Sequence, residues 1–243
     1  MGIINVTDNS YYAESRCLDG SGNDDLGRIV RRAAQMIGDG ATILDIGACS
    51  TRPGSDPVGE DEECRRLEPA LKAIRQEFPE IAISVDTYWP SVVRRTFDTI
   101  GQFIVNDVTA GEGMYDKSDE MLRTVAELGL PFVAMHMRGN PKTMQSLTEY
   151  DNVTAEVMDY FHQFASKAEA AGVKDWILDP GFGFAKTIEQ NYQMLRELDH
   201  FAELGKRILV GMSRKSMIFR KFGITPEESL PATQVLHYKA LYL

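Results

Sequence analysis

Short apolar runs punctuate the chain at regular intervals: GIINVT at residues 2–7, TILDIG at 42–47, IAISVDT at 81–87, FIVNDV at 103–108, PFVAMHM at 131–137, WILDP at 176–180 and RILVGMS at 207–213. They are too short for helices and rich in β-branched residues. Most are continuously apolar instead of alternating, which predicts strands buried on both faces of a parallel sheet. Between them the period lengthens to that of a helix. LGRIVRRAAQMIGDG sets Ile29, Ala33, Met36 and Ile37 on one face and closes at Gly38 and Gly40. CRRLEPALKAIRQEF repeats the spacing with Leu67, Leu71, Ile74 and Phe78, and VTAEVMDYFHQFASKAEAAG predicts a long amphipathic helix ending at Gly172. Such alternation, with no second regime of composition, argues for one α/β domain over residues 1–243. Seven predicted strands approach the eight of a TIM (β/α)8 barrel, whose eighth strand–helix unit would follow Leu243. A doubly wound sheet is the alternative, because alternation alone does not separate an open sheet from a closed one. GIINVT begins and TQVLHYKALYL ends abruptly, which predicts a functional polypeptide continuing upstream of Met1 and past Leu243.

Composition narrows the class. The formal net charge of −10 argues against a nucleic-acid or anionic-membrane surface, while leaving room for a local basic pocket. No apolar run approaches the ~18 residues of a membrane span and no signal peptide opens the chain, so a cytoplasmic protein is the expectation. Cys17, Cys49 and Cys64 form no CxxC pair, which points to neither a disulfide framework nor a zinc site.

Candidate chemistry gathers at the predicted strand ends, where ligands sit in both folds. Those ends carry Asn5, Asp45, Asp86, Asn106, Asp107, His136, Asp179 and the Ser213-Arg214-Lys215 run. One strand-end carboxylate is ordinarily a cap or a turn former. Several converging on one mouth would be costly without a polar ligand to satisfy them. Asp and Asn side chains in an apolar cleft can read the donor and acceptor edges of a heterocycle, and carboxylates there can stabilise a developing cation. STRPG at 50–54 and SRKS at 213–216 supply hydroxyls, backbone N–H groups and cations suited to phosphate oxygens. In WILDPGFGFAKT, Asp179 would read the heterocycle while Phe182 and Phe184 wall the site. The plainer expectations are that His136 bonds a neighbouring loop, that GEDEEC is a solvated helix start, and that Cys49, with no base beside it, is no nucleophile.

The same motifs resemble dihydropteroate synthase, a family of pterin-binding TIM barrels. GIINVTDNSYY is similar to its NVTPDSF motif and LDIGACSTRPG to its DIGGESTRPG loop. SVDT, VNDV, MHMRGNPKTMQ, LDPGFGFAKT and LVGMSRKSMI also resemble family motifs, in the family's order and over practically the whole chain. The resemblance implies condensation of 7,8-dihydropterin-6-ylmethyl diphosphate with p-aminobenzoate, with Mg²⁺, by a dissociative path. It implies that Asp86, Asn106 and Asp179 hold the pterin, that Val108, Met135, Gly183 and Gly211 shape its pocket, and that Phe184 lies toward p-aminobenzoate. Lys215 would contact the pterin and help close the site, Asn5 would ligate Mg²⁺, and Thr51 and Arg52 would take the diphosphate. Asp86, Lys215 and Arg52 are the implied catalytic set. Pro53, Ser213 and Ser216 would line the p-aminobenzoate pocket, where sulfonamides bind in this family. Loops 7–22 and 48–60 would be mobile covers, and a homodimer is the implied assembly. Asp8-Asn9 replaces the family's Pro-Asp, Ala48-Cys49 replaces its Gly-Glu, and the Arg-x-His motif of its final strand has no counterpart before Leu243. Two alternatives stand beside this expectation. One is a related folate-to-corrinoid methyltransferase, which lacks the SRKS lysine and the STRPG loop; the other is a pterin-binding barrel without turnover.

Overall fold

In the computed structural model, which describes residues 1–6, 26–49, 58–114, 118–140 and 142–242, the apolar runs become strands of a single parallel sheet. They are β1 (Gly2–Asn5), β2 (Ile43–Gly47), β3 (Ala82–Asp86), β4 (Ile104–Asp107), β5 (Phe132–Met135), β6 (Trp176–Asp179) and β7 (Arg207–Ile208). Helices fill the connections: α1 (Leu26–Gly38), α2 (Glu60–Glu77), α3 (Pro90–Ile100), α4 (Glu120–Leu128), α5 (Val153–Ala171) and α6 (Ile188–Arg196), then α7 (Ser216–Phe222) and α8 (Leu230–Ala240) after the last strand. The strands lie side by side in chain order, β1 to β7, each parallel to the next. A doubly wound sheet needs a point where that order reverses, and none occurs among the described residues. Order without reversal is the arrangement of the TIM barrel, seven of whose eight strand positions are filled here. No helix among the described residues is long and apolar enough to cross a membrane.

The register explains why a nearly apolar sheet carries polar chemistry. Leu44, Ile46, Ile83, Val85, Val105, Phe132 and Leu178 join the main core beneath the helices. Their strand neighbours Asp45, Ser84, Asp86, Asn106 and Asp179 alternate with them and take the opposite face, the interior of the barrel wall. The outer layer is held by helices such as α5, whose Val153, Val157, Phe161, Phe164 and Ala168 recur at helical spacing and are buried. Phe164 stacks on Phe132 of β5 at 5.9 Å between ring centroids and meets Trp176 of β6 edge-on at 6.3 Å. Each such ring contributes roughly 2–3 kcal/mol by burial. Asn152 starts α5 by accepting from Thr154 N and Ala155 N, both at 3.1 Å, and Gly172 ends it in a left-handed turn.

Candidate active site

The carboxyl ends of β1 to β4 bring Asn5, Asp86 and Asn106 to one level. Asn5 pairs with Gly47, Gly47 with Asp86, and Asp86 with Asn106. Gly47 keeps that level open: a Cβ there would lie 3.4 Å from Asp86 Oδ2 and 3.8 Å from Asn5 Oδ1. One layer deeper sits Asp45, opposite Ser84 in register. Ser84 Oγ donates to Asp45 Oδ1 at 2.6 Å, and Asn106 Nδ2 donates to both carboxylate oxygens, at 3.2 and 3.3 Å. Across the mouth, Asp179 Oδ1 accepts the Gly181 N–H at 2.8 Å. A Cβ on Gly211 would lie 3.8 Å from both Asp179 Oδ2 and Lys215 Nζ, so a bare backbone separates carboxylate from ammonium. Lys215 Nζ donates to Phe182 O at 2.6 Å and stands 4.6 Å from the centre of the Phe184 ring. Val108 and Met135 are buried together with Cys49 and Tyr88 in a small apolar cluster at this end, against which Phe184 packs.

The loop from Asp179 to Thr187 is fastened from below. Lys186 Nζ donates to Gly181 O at 3.1 Å and to Phe184 O at 3.0 Å, and lies 2.9 Å from His136 Nδ1. Asn191 Oδ1 accepts the Gly183 N–H at 2.7 Å, and Thr187 and Gln190 close a capping box at the start of α6. Strain collects on the same rim. Ala110, Ala185 and Arg214, the non-glycine residues with left-handed backbone among those described, lie in the loops after β4, β6 and β7.

Among the described residues, the mouth carries more acidic than basic side chains. Burial pushes Asp86 well above the usual carboxylate range, and the charges of Asp45, Glu63 and Asp107 push further. Asp45 is raised by burial, offset in part by Ser84 and Asn106. Asp179 is raised by burial, with Lys215 opposing. Burial also lowers Lys215 and takes Lys186 down to about 7. His136 is held well below its ordinary value, first by burial and then by the Lys186 charge, and its Nδ1 shares a hydrogen bond with Lys186 Nζ. Such a pocket favours a ligand that brings several N–H donors or develops positive charge.

The pterin-binding enzyme profile matches residues 1–242. The chain belongs to the pterin-binding enzyme family. It is 43% identical over 232 residues to the dihydropteroate synthase of Escherichia coli K12, covering 95% of this chain and 78% of that one. Among solved structures, a Yersinia pestis dihydropteroate synthase with a sulfonamide drug complex superposes with a TM-score of 0.87 at 33% identity, over 99% of this chain and 83% of the other. A Thermus thermophilus dihydropteroate synthase in complex with 4-aminobenzoate superposes with a TM-score of 0.83 at 36% identity, over 100% and 84%.

Within this pterin-binding frame, Asp86, Asn106, Asp179, Lys215, Val108, Met135, Gly183, Phe184 and Gly211 all fall at the mouth, Gly183 lying against the Lys215 side chain. Ser216 opens α7 half-buried, and Ser213 is exposed in the loop before it. Thr51, Arg52 and Pro53 lie outside the described residues, as do residues 7–22 of the first loop and 50–57 of the second. Four expectations need correction, the last of them that the GEDEEC run is solvated. Phe182 does not wall the site: it is fully buried in the main core, because left-handed turns at Gly181 and Gly183 send the two phenylalanines different ways. Arg214 is not offered to phosphate oxygens, since its Nη1 donates to Pro226 O at 3.2 Å and Glu227 O at 2.9 Å. Asp107 takes the plainer role of a turn former, accepting from Thr109 N, Thr109 Oγ1 and Gly111 N.

The last acid of the GEDEEC run, Glu63, is not solvated. It is fully buried on α2, neither carboxylate oxygen has a partner within ordinary hydrogen-bond geometry among the described residues, and burial raises it from 4.5 to about 7 against the opposing pull of the nearby Thr87 hydroxyl and the Arg66 charge. A carboxyl raised on folding binds more protons folded than unfolded between those two values, so stability is greatest at low pH and declines as pH rises through about 7. Glu63→Gln should therefore stabilise the protein at pH 8 by on the order of 3 kcal/mol and leave it nearly unchanged at pH 4. Chemical denaturation at the two pH values checks this, and equal effects at both would refute it. In the sequence Asp45 is one strand-end acid among several, and neither Lys186 nor Glu63 stands out as a site residue. Of the three, Glu63 left a readable signal of burial, four residues before Leu67 on the buried face of its helix.

Proposed function

We propose that this polypeptide condenses 7,8-dihydropterin-6-ylmethyl diphosphate with p-aminobenzoate, yielding dihydropteroate and diphosphate, by a dissociative substitution. The observation that carries the proposal is a set of acceptors at one end of the sheet, the half-buried Asp86 and Asn106 and the buried Asp179, with the Lys215 ammonium beside Asp179 and an apolar wall at the same end. Asp179 and Asn106 accept N–H groups of the pterin, and Val108, Met135 and Phe184 enclose its faces. As the methylene C–O bond breaks, its electron pair leaves with the diphosphate oxygen and positive charge spreads into the ring. Asp86, destabilised as an anion by its burial, gains most from that charge. The aniline nitrogen then forms the C–N bond and releases a proton.

The donor set also fits Mg²⁺. Asn5 Oδ1 and Asp86 Oδ2 are hard oxygen ligands facing the same gap beside Gly47, and such a cation takes one or two protein oxygens together with phosphate oxygens. When bound there through Asn5, it would neutralise charge building on the diphosphate. A turnover assay with both substrates, with Mg²⁺ and with chelator, tests the function. Dihydropteroate formed only with Mg²⁺ is expected; pterin binding with no product would overturn the synthase reading.

Asp179→Asn should weaken pterin affinity by about 1–3 kcal/mol for each buried group left unpaired. The amide oxygen can keep the Gly181 N–H, but its NH2 then meets both the ring donors and Lys215. Isothermal titration showing undiminished affinity would refute this.

A further inference from the structure

We infer that Asp45 is a positioning residue that locks the Asn106 amide with its carbonyl oxygen, not its NH2 group, turned toward the bound heterocycle. The inference rests on the pterin-binding reading above and deepens it by stating which end of the amide reads the ring. Asp45 is 5% exposed and lies one layer below Asn106 in the barrel wall. Its carboxylate has only acceptors to offer, and one of them is already anchored by the Ser84 hydroxyl at 2.6 Å. The Asn106 group that sits across both oxygens, at 3.2 and 3.3 Å, must therefore be the NH2. Asn106 Oδ1 is left pointing up toward the mouth, where no donor from the described residues meets it. A free asparagine presents either a donor or an acceptor. Tied to Asp45 the amide cannot turn over, so its carbonyl oxygen stands as a fixed acceptor at the mouth, matching Asp86 and Asp179.

Exchanging the two groups separates positioning from packing. In Asp45→Asn, one orientation of the new amide places NH2 against NH2. The other invites Asn106 to turn over and show the ring a donor. In Asn106→Asp, two carboxylates face one another and must share a proton. In the exchange variant D45N/N106D the amide lies below and the carboxylate above, the hydrogen bond is restored in reverse, and an acceptor again faces the ring. Atom count and net charge are those of the wild type.

Isothermal titration of the polypeptide with 7,8-dihydropterin-6-ylmethyl diphosphate should show each single variant binding about tenfold to a hundredfold more weakly. The exchange variant should recover most of that loss, and KM for p-aminobenzoate should stay near the wild-type value throughout. Thermal unfolding reports whether each variant is folded; if a single variant is not, the exchange variant decides by itself, since weak binding by a folded D45N/N106D overturns the inference. Wild-type affinity in Asp45→Asn, or an exchange no better than the worse single variant, also overturns it. Wild-type protein that fails to bind the pterin would remove the parent reading and this inference with it.

Discussion

Replacing Lys215 by Met is expected to lower kcat by about 10²–10³-fold while the protein stays folded, the loss seen when a preorganised donor to developing charge is removed. Lys215 is held in place by Phe182 O at 2.6 Å and by the Phe184 ring, and it directly precedes α7, so its charge is fixed before substrate arrives. It is also the cation that most offsets the burial of Asp179. Without it Asp179 is driven further toward its neutral form, and an acceptor for the pterin is lost along with a donor. Burial holds the Lys215 ammonium below 10.5, so wild-type turnover should fall as pH rises through that lowered value. Lys215→Arg, charged throughout, should lose this alkaline limb even if its activity is reduced. Steady-state kinetics of both variants from neutral to alkaline pH provide the measurement, with thermal unfolding alongside. A Lys215→Met variant within threefold of wild type would remove Lys215 from the chemistry.

The barrel was legible because its strands are buried on both faces and therefore largely apolar, and because glycines such as Gly172 end the helices in ordinary ways. Asp86, Asn106 and Asp179 could be placed at one end of the sheet for a related reason: each is a polar residue at the end of an apolar run, and the ends of parallel strands share one side. What was not legible depends on backbone direction after the strands end. Phe182 and Phe184 differ by two residues and would share a face in a strand, but positive φ at Gly181 and Gly183 breaks that period. Arg214 and Lys215 are adjacent cations in one motif. The left-handed φ of 52° at Arg214 accompanies a side chain bound to carbonyls beyond α7, while Lys215 enters the pocket. Lys186 is the extreme case, a lysine after an aromatic–glycine run whose ammonium stays inside to hold the loop together, which neither period nor composition announces.

That loop is also where a single methyl group should do most damage to stability. Gly181 has φ +70°, and a Cβ built on it would lie 2.1 Å from His136 O, a backbone atom that cannot swing aside as a side chain can. His136 is itself tied to the sheet, its N–H donating to Asp179 O at 2.9 Å. Gly181→Ala must therefore push the loop off β5, parting Lys186 from Gly181 O and the Gly181 N–H from Asp179 Oδ1. The left-handed backbone alone costs an alanine about 1 kcal/mol, and the broken contacts add to it, so a total of at least about 3 kcal/mol is expected. For a chain of 243 residues that is a fall in Tm of roughly 6–12 °C. Gly205→Ala is the matched control: φ there is +62°, but nothing lies within 4 Å of the added carbon, so only the backbone cost applies. Calorimetry on the two variants separates the effects. A Gly181→Ala shift no larger than that of Gly205→Ala would mean that the loop yields freely and does not hold Asp179 in place.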